Sequence, residues 1–268
     1  MSVTCVKKGN LEYLSSSLLE ETAHCFSTRY GGVSQGHLAS LNLGVHRGDS
    51  PENVHQNYGI LGQAVGFDPA HTVFTKQIHS DLIERVGRDQ WGRGLLREVE
   101  EGCDGLVTNE PLTALTVFSA DCTPVLLYDP VQKAIGAVHA GWRGTAMKIA
   151  AKAVLKMTEE FGSRPEDIHA AIGPCIGQCC FETHNDVPDA MLASYGEAAK
   201  HCICAVGEKF RVDLKGLNAL SLRELGVTRI DIAADCTACA PHRFWSHRRV
   251  GNERGSLAAV IMLKGEMG

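Results

Sequence analysis

Three segments of the chain end in side chains that bind borderline or soft metals: KQIHS with His79, SADCTP with Cys122 and AVHAGWRG with His139. In each, a short β-prone run delivers one ligand into a polar or small-residue turn. Two imidazoles and a thiolate suit Zn²⁺, and three protein ligands leave a fourth position open to water or substrate. Structural zinc is more often closed by four ligands in tight Cys-x2-Cys pairs. The wide separations here call instead for ligands from different strands meeting at one rim. Cys122 and His139 also fit a thiol nucleophile with its histidine base. Satisfied histidines beside a buried thiol are the non-catalytic reading.

Other residues carry weaker versions of the same chemistry. CTAC (Cys236, Cys239), followed by His242 and His247, has metal-like spacing, but no second Cys-x2-Cys completes a zinc ribbon, and a turn whose thiols pack inward is the preferred reading. CIGQCC (Cys175, Cys179, Cys180) fits a loop shaped by glycine, proline and small residues better than it fits redox or metal chemistry. The glycines of HAGWRGT precede a helix whose free N–H groups suit an anion. They form neither Gly-Lys-Ser/Thr nor a complete Gly-x-Gly-x-x-Gly, so a nucleotide loop is excluded on the residues. Arg29, Arg143, Arg248 and Arg249 are candidate anion ligands, against the commoner role of surface ion pairing.

The whole-chain totals narrow the class. The 268 residues are 44% hydrophobic and 21% charged with a net charge of −5, which fits a soluble globular protein and argues against a nucleic-acid or anionic-membrane binder. No apolar run reaches the roughly 18 residues that span a bilayer. The stretch MSVTCVKKGNLEYLSSS has no signal-peptide apolar region, so a cytoplasmic location is expected. Eleven cysteines in such a chain imply reduced thiols, metal ligands or a catalytic thiol, with most of them buried as small apolar residues.

Positioning these residues requires strands. TAHCFSTR (22–29) reads as a strand running into the turn YGGVSQG. HTVFTKQIHSDLIERV is β-rich on both sides of His79. LTALTVFSA and PVLLYD are apolar strands flanking DCT, and AIGAVHA, HAAIG, RIDIA and LAAVIML are further strands, whereas GCDGLVT is turn-like. Asp49 or Ser50 caps a helix with Pro51 at its first position, ending near Val65. GTAMKIAAKAVLKMTEEFG predicts one amphipathic helix, with Ala146, Ile149, Ala150, Ala153 and Met157 on its apolar face and Gly162 as its stop. Helices are also expected at 186–196 and 213–225. No repeat or linker interrupts the chain, so the expectation is one layered α/β (α+β) domain over residues 1–268, sheets covered by helices.

Taken in order, STRYGGVS, SLNLGVHRGD, KQIHS, DGLVT, SADCTPVLLYD, AVHAGWRGT, IGPCIG…CFE and FWSHRR make the chain resemble the YfiH-type, laccase-domain (polyphenol oxidase-like) family of purine nucleoside phosphorylases. The resemblance covers nearly the whole chain and rests most on ADC followed by HAGWRG. It implies a layered α/β fold similar to cysteine-dependent toxin deamidases. It also implies a zinc site, catalytic as well as metal-binding, at His79, Cys122 and His139. Implied activities are phosphorolysis of adenosine, inosine, guanosine and methylthioadenosine, with hydrolytic deamination of adenosine. Purine nucleosides and inorganic phosphate are then the partners, with Arg29, Asn42, Arg143 and Arg248 expected to bind substrate or phosphate. A three-ligand zinc that activates water suits the deamination. QIHS departs from the QVHG of some members while keeping the histidine. Copper, from the family's older laccase label, is the alternative metal, but the chain has no His-x-His pair of the kind multicopper clusters use. A Cys122–His139 hydrolase and a non-catalytic binding module are the other readings, the former resting on fold analogy.

Overall fold

A computed structural model describes residues 3–265. The first sheet contains β1 (Val3–Lys8), β2 (Leu11–Ser16), β3 (Thr22–Ser27), β4 (Thr72–Phe74), β7 (Ala114–Ser119) and β15 (Leu257–Leu263). The second contains β5 (Ile83–Arg85), β6 (Gly105–Thr108), β8 (Thr123–Asp129), β9 (Ala134–Ala140), β10 (His169–Ile172) and β14 (Arg229–Ile232). Their orders are β1-β2-β3-β15-β7-β4 and β14-β10-β8-β9-β6-β5. A small third sheet, in the order β11-β13-β12, uses β11 (Glu182–Thr183), β12 (Ile203–Val206) and β13 (Lys209–Val212).

Alternation along the strands stacks the two large sheets. In β15, Leu257, Ala259, Ile261 and Leu263 enter the layer shared with Leu126, Ile135 and Ala137 of the second sheet, while Ala258, Val260 and Met262 turn to the opposite face. Helix α1 (Pro51–Val65) covers that opposite face through Val54, Tyr58 and Leu61. On the outer face of the second sheet, Val125, Leu127 and Val138 pack against α3 (Ile149–Phe161) and α5 (Leu214–Glu224). The result is the expected mixed α/β architecture of sheets covered by helices, in layers helix–sheet–sheet–helix. The remaining helices are α2 (Trp142–Ala146), α4 (Asp186–Tyr195) and α6 (His247–Val250).

Local signals located most elements. Ser50 caps α1 by accepting from the Asn53 amide, Pro51 is its first residue, and Gly66 closes it in the left-handed region at φ 99°. Three expectations are corrected. The helix expected over 144–161 is two, because Lys148 is left-handed at φ 57°, where no glycine or proline marks the break. GLVT within the turn-like GCDGLVT is strand β6, paired to both β5 and β9. Most cysteines are not buried: Cys25, Cys103 and Cys175 are, and the other eight are at least partly exposed, because Cys122 lines a cavity and four others gather at the surface. Among the described residues, no helix is long and apolar enough to cross a membrane.

Candidate metal centre

The site forms at one end of the layer between the sheets. His139 is the penultimate residue of β9 and falls on the same face as Ile135 and Ala137. Cys122 immediately precedes β8, the antiparallel partner of β9, and His79 lies in the turn between β4 and β5. One candidate ligand atom from each of His79, Cys122 and His139 lies within 4.8 Å of the other two. Two adjacent strand ends and the turn between β4 and β5 thus converge, which brings together residues far apart in sequence.

Asp104 organises this convergence. Its carboxylate is fully buried and accepts from His139 Nδ1 at 2.8 Å. It also accepts from the amides of Ile78, His79 and Ser80 at 3.2, 3.1 and 2.6 Å, and from Ser80 Oγ at 2.7 Å. With Nδ1–H committed to Asp104, Nε2 is the His139 atom left to take a metal ion or a proton. The amide bonds hold His79 at φ 59°, a left-handed conformation that a non-glycine residue keeps only when its surroundings impose it. The turn before Cys122 repeats the device. Asp121, at φ 91°, accepts from Thr237 Oγ1 and the Arg248 amide, both at 2.6 Å. Its carboxylate therefore ties down the loops that carry Thr237 and Arg248.

The electrostatics suit a cation. Burial raises the Asp104 pKa, but hydrogen bonds from His139 and Ser80 outweigh it and pull it down to about 2. Burial alone would lower His139, yet the Cys122 sulfur and Asp104 raise it to about 9. The local field thus favours positive charge, whether proton or metal ion. Burial, then the neighbouring His139, lower the pKa of His79, keeping that imidazole neutral as a ligand must be. The donor set, its fixed tautomer and its field fit a metal ion.

Gly141 explains the glycine after His-Ala. At φ −66° it needs no special backbone freedom. A Cβ there would lie 2.5 Å from His79 Nδ1 and 3.4 Å from Cys122 Sγ, inside the ligand set. Space, not conformation, requires glycine.

A cavity of about 370 Å³ opens beside the three ligands. Phe118, Trp142, Ile176, Phe181 and Leu214 supply apolar walls, and Arg47, Arg248, Arg254 and Ser256 supply polar ones. Of the four anion candidates, only Arg248 lines the cavity, and its guanidinium donates to the carbonyls of Cys180 and Glu182. Arg29 donates to the carbonyls of Ala39 and Pro241 and stacks 3.7 Å from the Trp245 ring centroid. Asn42 is fully buried and bonds to Gly44, Asp49 and Ser256. Arg143 is exposed and stacks on Trp142, outside the cavity lining.

Sequence reasoning missed Arg47 and Arg254. Both are partly buried, and Arg47 Nε donates to Ser256 Oγ at 3.2 Å. Among the described residues the buried Arg254 Nε has no hydrogen-bond partner, while Nη1 donates to the Gly255 carbonyl at 3.0 Å. Burial, then the charge of Arg47, lower the Arg254 pKa to about 10. Two adjacent, partly buried guanidiniums, one with an unused donor, form an anion-seeking wall. Arg47 sits in SLNLGVHRGD and could have been read from that motif; nothing local marks Arg254. Asp104 sits in DGLVT, where nothing local marks its role.

The fold and site define a class: a layered α/β protein with a His/Cys/His centre at the rim of a cavity sized for a small molecule. Residues 23–264 match the family described as "Multi-copper polyphenol oxidoreductase laccase". The chain belongs to this laccase-domain family, together with YfiH and YlmD proteins. It is 35% identical over 244 residues to "Purine nucleoside phosphorylase YlmD" of Bacillus subtilis, spanning 89% of this chain and 87% of that protein. It is 34% identical over 262 residues to "Purine nucleoside phosphorylase" of Bacteroides thetaiotaomicron, spanning 96% and 97%. The crystal structure of YlmD from Geobacillus stearothermophilus matches with a TM-score of 0.92 at 30% identity, covering 97% of this chain and 99% of that one.

Proposed function

We propose that this protein is a zinc-dependent purine nucleoside phosphorylase acting on adenosine, inosine, guanosine and methylthioadenosine, with adenosine deaminase activity at the same site. The observation that carries the reading is a His/Cys/His ligand set sharing one cavity with two partly buried arginines, one of which has an unused donor. The names of the relatives support the reaction class.

His79, Cys122 and His139 would hold the zinc, with Asp104 fixing the His139 tautomer. When bound, zinc supplies Lewis-acid charge at one wall of the cavity and an activated water at its open position, as hydrolysis at purine C6 needs. The apolar walls, Phe118, Trp142 and Phe181 among them, flank the planar base and exclude bulk water. Arg47 and Arg254 bind and orient phosphate, and Ser256 steadies Arg47. In phosphorolysis a phosphate oxygen bonds to ribose C1′ as the C1′–N9 bond breaks. The electron pair leaves with the purine, which takes up a proton, and ribose 1-phosphate is the other product. Orienting the anion against C1′ is where two guanidiniums contribute most.

Zinc is preferred over copper on ligand count. Multicopper clusters use several His-x-His pairs, and the chain has none. Among the described residues, the only other candidate metal cluster consists of thiols alone, unlike the histidine-rich clusters that reduce oxygen.

Incubating zinc-loaded protein with each nucleoside, with and without phosphate, tests the reading. Free base and ribose 1-phosphate (the methylthio sugar phosphate from methylthioadenosine) are expected only with phosphate, and inosine from adenosine without it. Arg254→Gln should raise the KM for phosphate by roughly tenfold or more, the worth of a charge-assisted hydrogen bond, and leave deamination intact. Failure to turn over any purine nucleoside overturns the proposal, and stoichiometric copper with phenol oxidation would replace it.

A further inference from the structure

Four thiols from two loops distant in sequence meet beside the cavity. Cys179 and Cys180 follow β10, and Cys236 and Cys239 follow β14, its parallel neighbour. All four sulfur atoms lie within 4.8 Å of one another. Cys239 Sγ is 3.5 Å from Cys179 Sγ and 3.4 Å from Cys180 Sγ. Disulfide sulfurs sit about 2.05 Å apart, whereas Zn–S bonds of about 2.3 Å place tetrahedral sulfurs about 3.8 Å apart. The observed spacings are far too long for a disulfide and lie within a few tenths of an ångström of those between a metal's ligands.

The surroundings are built to keep these sulfurs together. Cys175 and Cys236 form a parallel backbone bridge, and the Thr237 amide donates to the Cys175 carbonyl at 3.0 Å. The Gly177 amide donates to Cys236 Sγ at 3.1 Å, an interaction that favours a negatively charged sulfur. A Cβ on Gly177 would stand 3.1 Å from Cys236 Cβ and 3.2 Å from Cys179 Sγ, so glycine lets the loops close. Arg248 donates to the Cys180 carbonyl and Arg249 to the Ala238 carbonyl, bringing two cations to these loops. Cys179 and Cys239 are exposed, giving an ion a way in.

We propose that Cys179, Cys180, Cys236 and Cys239 form a second, structural zinc site closed by four thiolates, distinct from the His79/Cys122/His139 centre. Binding exchanges four S–H protons, released to solvent, for one Zn²⁺, and the resulting dianion is offset by Arg248 and Arg249. The ion clasps together the loops that supply Ile176, Phe181, His247 and Arg248 to the cavity wall. The two halves of the ligand set are a Cys-Cys pair and a Cys-x2-Cys pair, which explains why neither reads as a zinc motif alone. The proposal is independent of the enzymatic reading, since it uses none of the three cavity ligands.

Metal analysis of protein purified under reducing conditions, with zinc supplied, tests it. Cys236→Ser/Cys239→Ser should hold about one zinc ion per chain fewer than wild type, and His79→Ala/His139→Ala should retain about one. Cobalt substitution in the latter variant should give the intense thiolate-to-metal charge transfer and tetrahedral visible bands of a four-thiolate site, a readout that does not depend on the cysteine variant folding. If the His79/Cys122/His139 centre does not take zinc, wild type holds a single ion that the cysteine variant loses and the histidine variant keeps. An unchanged zinc content in the cysteine variant overturns the proposal. So does a histidine variant without metal, oxidised thiol pairs in the intact mass, or iron with an iron–sulfur spectrum.

Discussion

Gly141→Ala isolates the contribution of space at the metal centre. Its backbone, at φ −66° and ψ 173°, suits alanine without strain, and its position as the residue before α2 exposes the fold to at most a small capping loss. The new Cβ would stand 2.5 Å from His79 Nδ1, about 1 Å inside ordinary van der Waals contact. The His79 ring must retreat by roughly that amount, while a zinc–nitrogen bond tolerates little departure from about 2.0–2.1 Å. A 1 Å misplacement costs about 100-fold in catalysis, so zinc affinity and kcat/KM should each fall by about two orders of magnitude, with unfolding free energy changed by less than about 1 kcal/mol. Chelator competition, nucleoside phosphorolysis and urea denaturation measure the three quantities. Gly59→Ala is the matched control: in α1, with no atom of the described residues beyond its own neighbours and helix backbone within 4 Å of the added methyl, it should gain about 1 kcal/mol from helix propensity and leave zinc binding alone. An alanine at 141 that binds zinc and turns over like wild type would refute the steric argument.

Two further outcomes follow from buried polar groups. Asp104→Asn keeps the shape but sets an NH₂ against at least one of the donors it now satisfies. Zinc affinity should fall about 10- to 100-fold, with about 2–3 kcal/mol of stability lost with the inverted bonds; wild-type zinc affinity in the variant removes Asp104 from its positioning role. His24 is buried, and its Nε2 accepts from the Ser16 amide at 2.9 Å, so it is held neutral, its pKa lowered by burial to about 4. Its folded pKa lies below the unfolded value near 6.5. Stability is therefore complete above about pH 6.5 and declines as pH falls toward 4, by about 2 kcal/mol at pH 5. Urea denaturation of His24→Gln between pH 7 and 5 should lack that share of the slope, and parallel slopes would count against the burial argument.

The sequence by itself picked out His79, Cys122 and His139 as a candidate ligand set, the cap and start of α1, and most of the apolar strands. The strand-end reading holds for His139 and Cys122, whereas His79 lies in the turn between β4 and β5. These are local properties: alternation, capping and turn chemistry act within a few residues, and a ligand at a strand end is visible wherever that strand pairs. Family membership was legible for the same reason, through short motifs in fixed order. What only the tertiary structure decided depends on which elements become neighbours. Asp104 precedes a strand that pairs with β9, so its carboxylate meets His139 only once β6 and β9 are joined. Arg254 joins Arg47 because the end of the chain returns through β15 to the middle of the first sheet. The Cys-Cys and Cys-x2-Cys pairs became one cluster of four thiols only when the parallel pairing of β10 with β14 set their loops side by side. In AVHAGWRG the sequence singled out His139, and the packed site explained the glycine, whose missing side chain leaves room for His79 and Cys122.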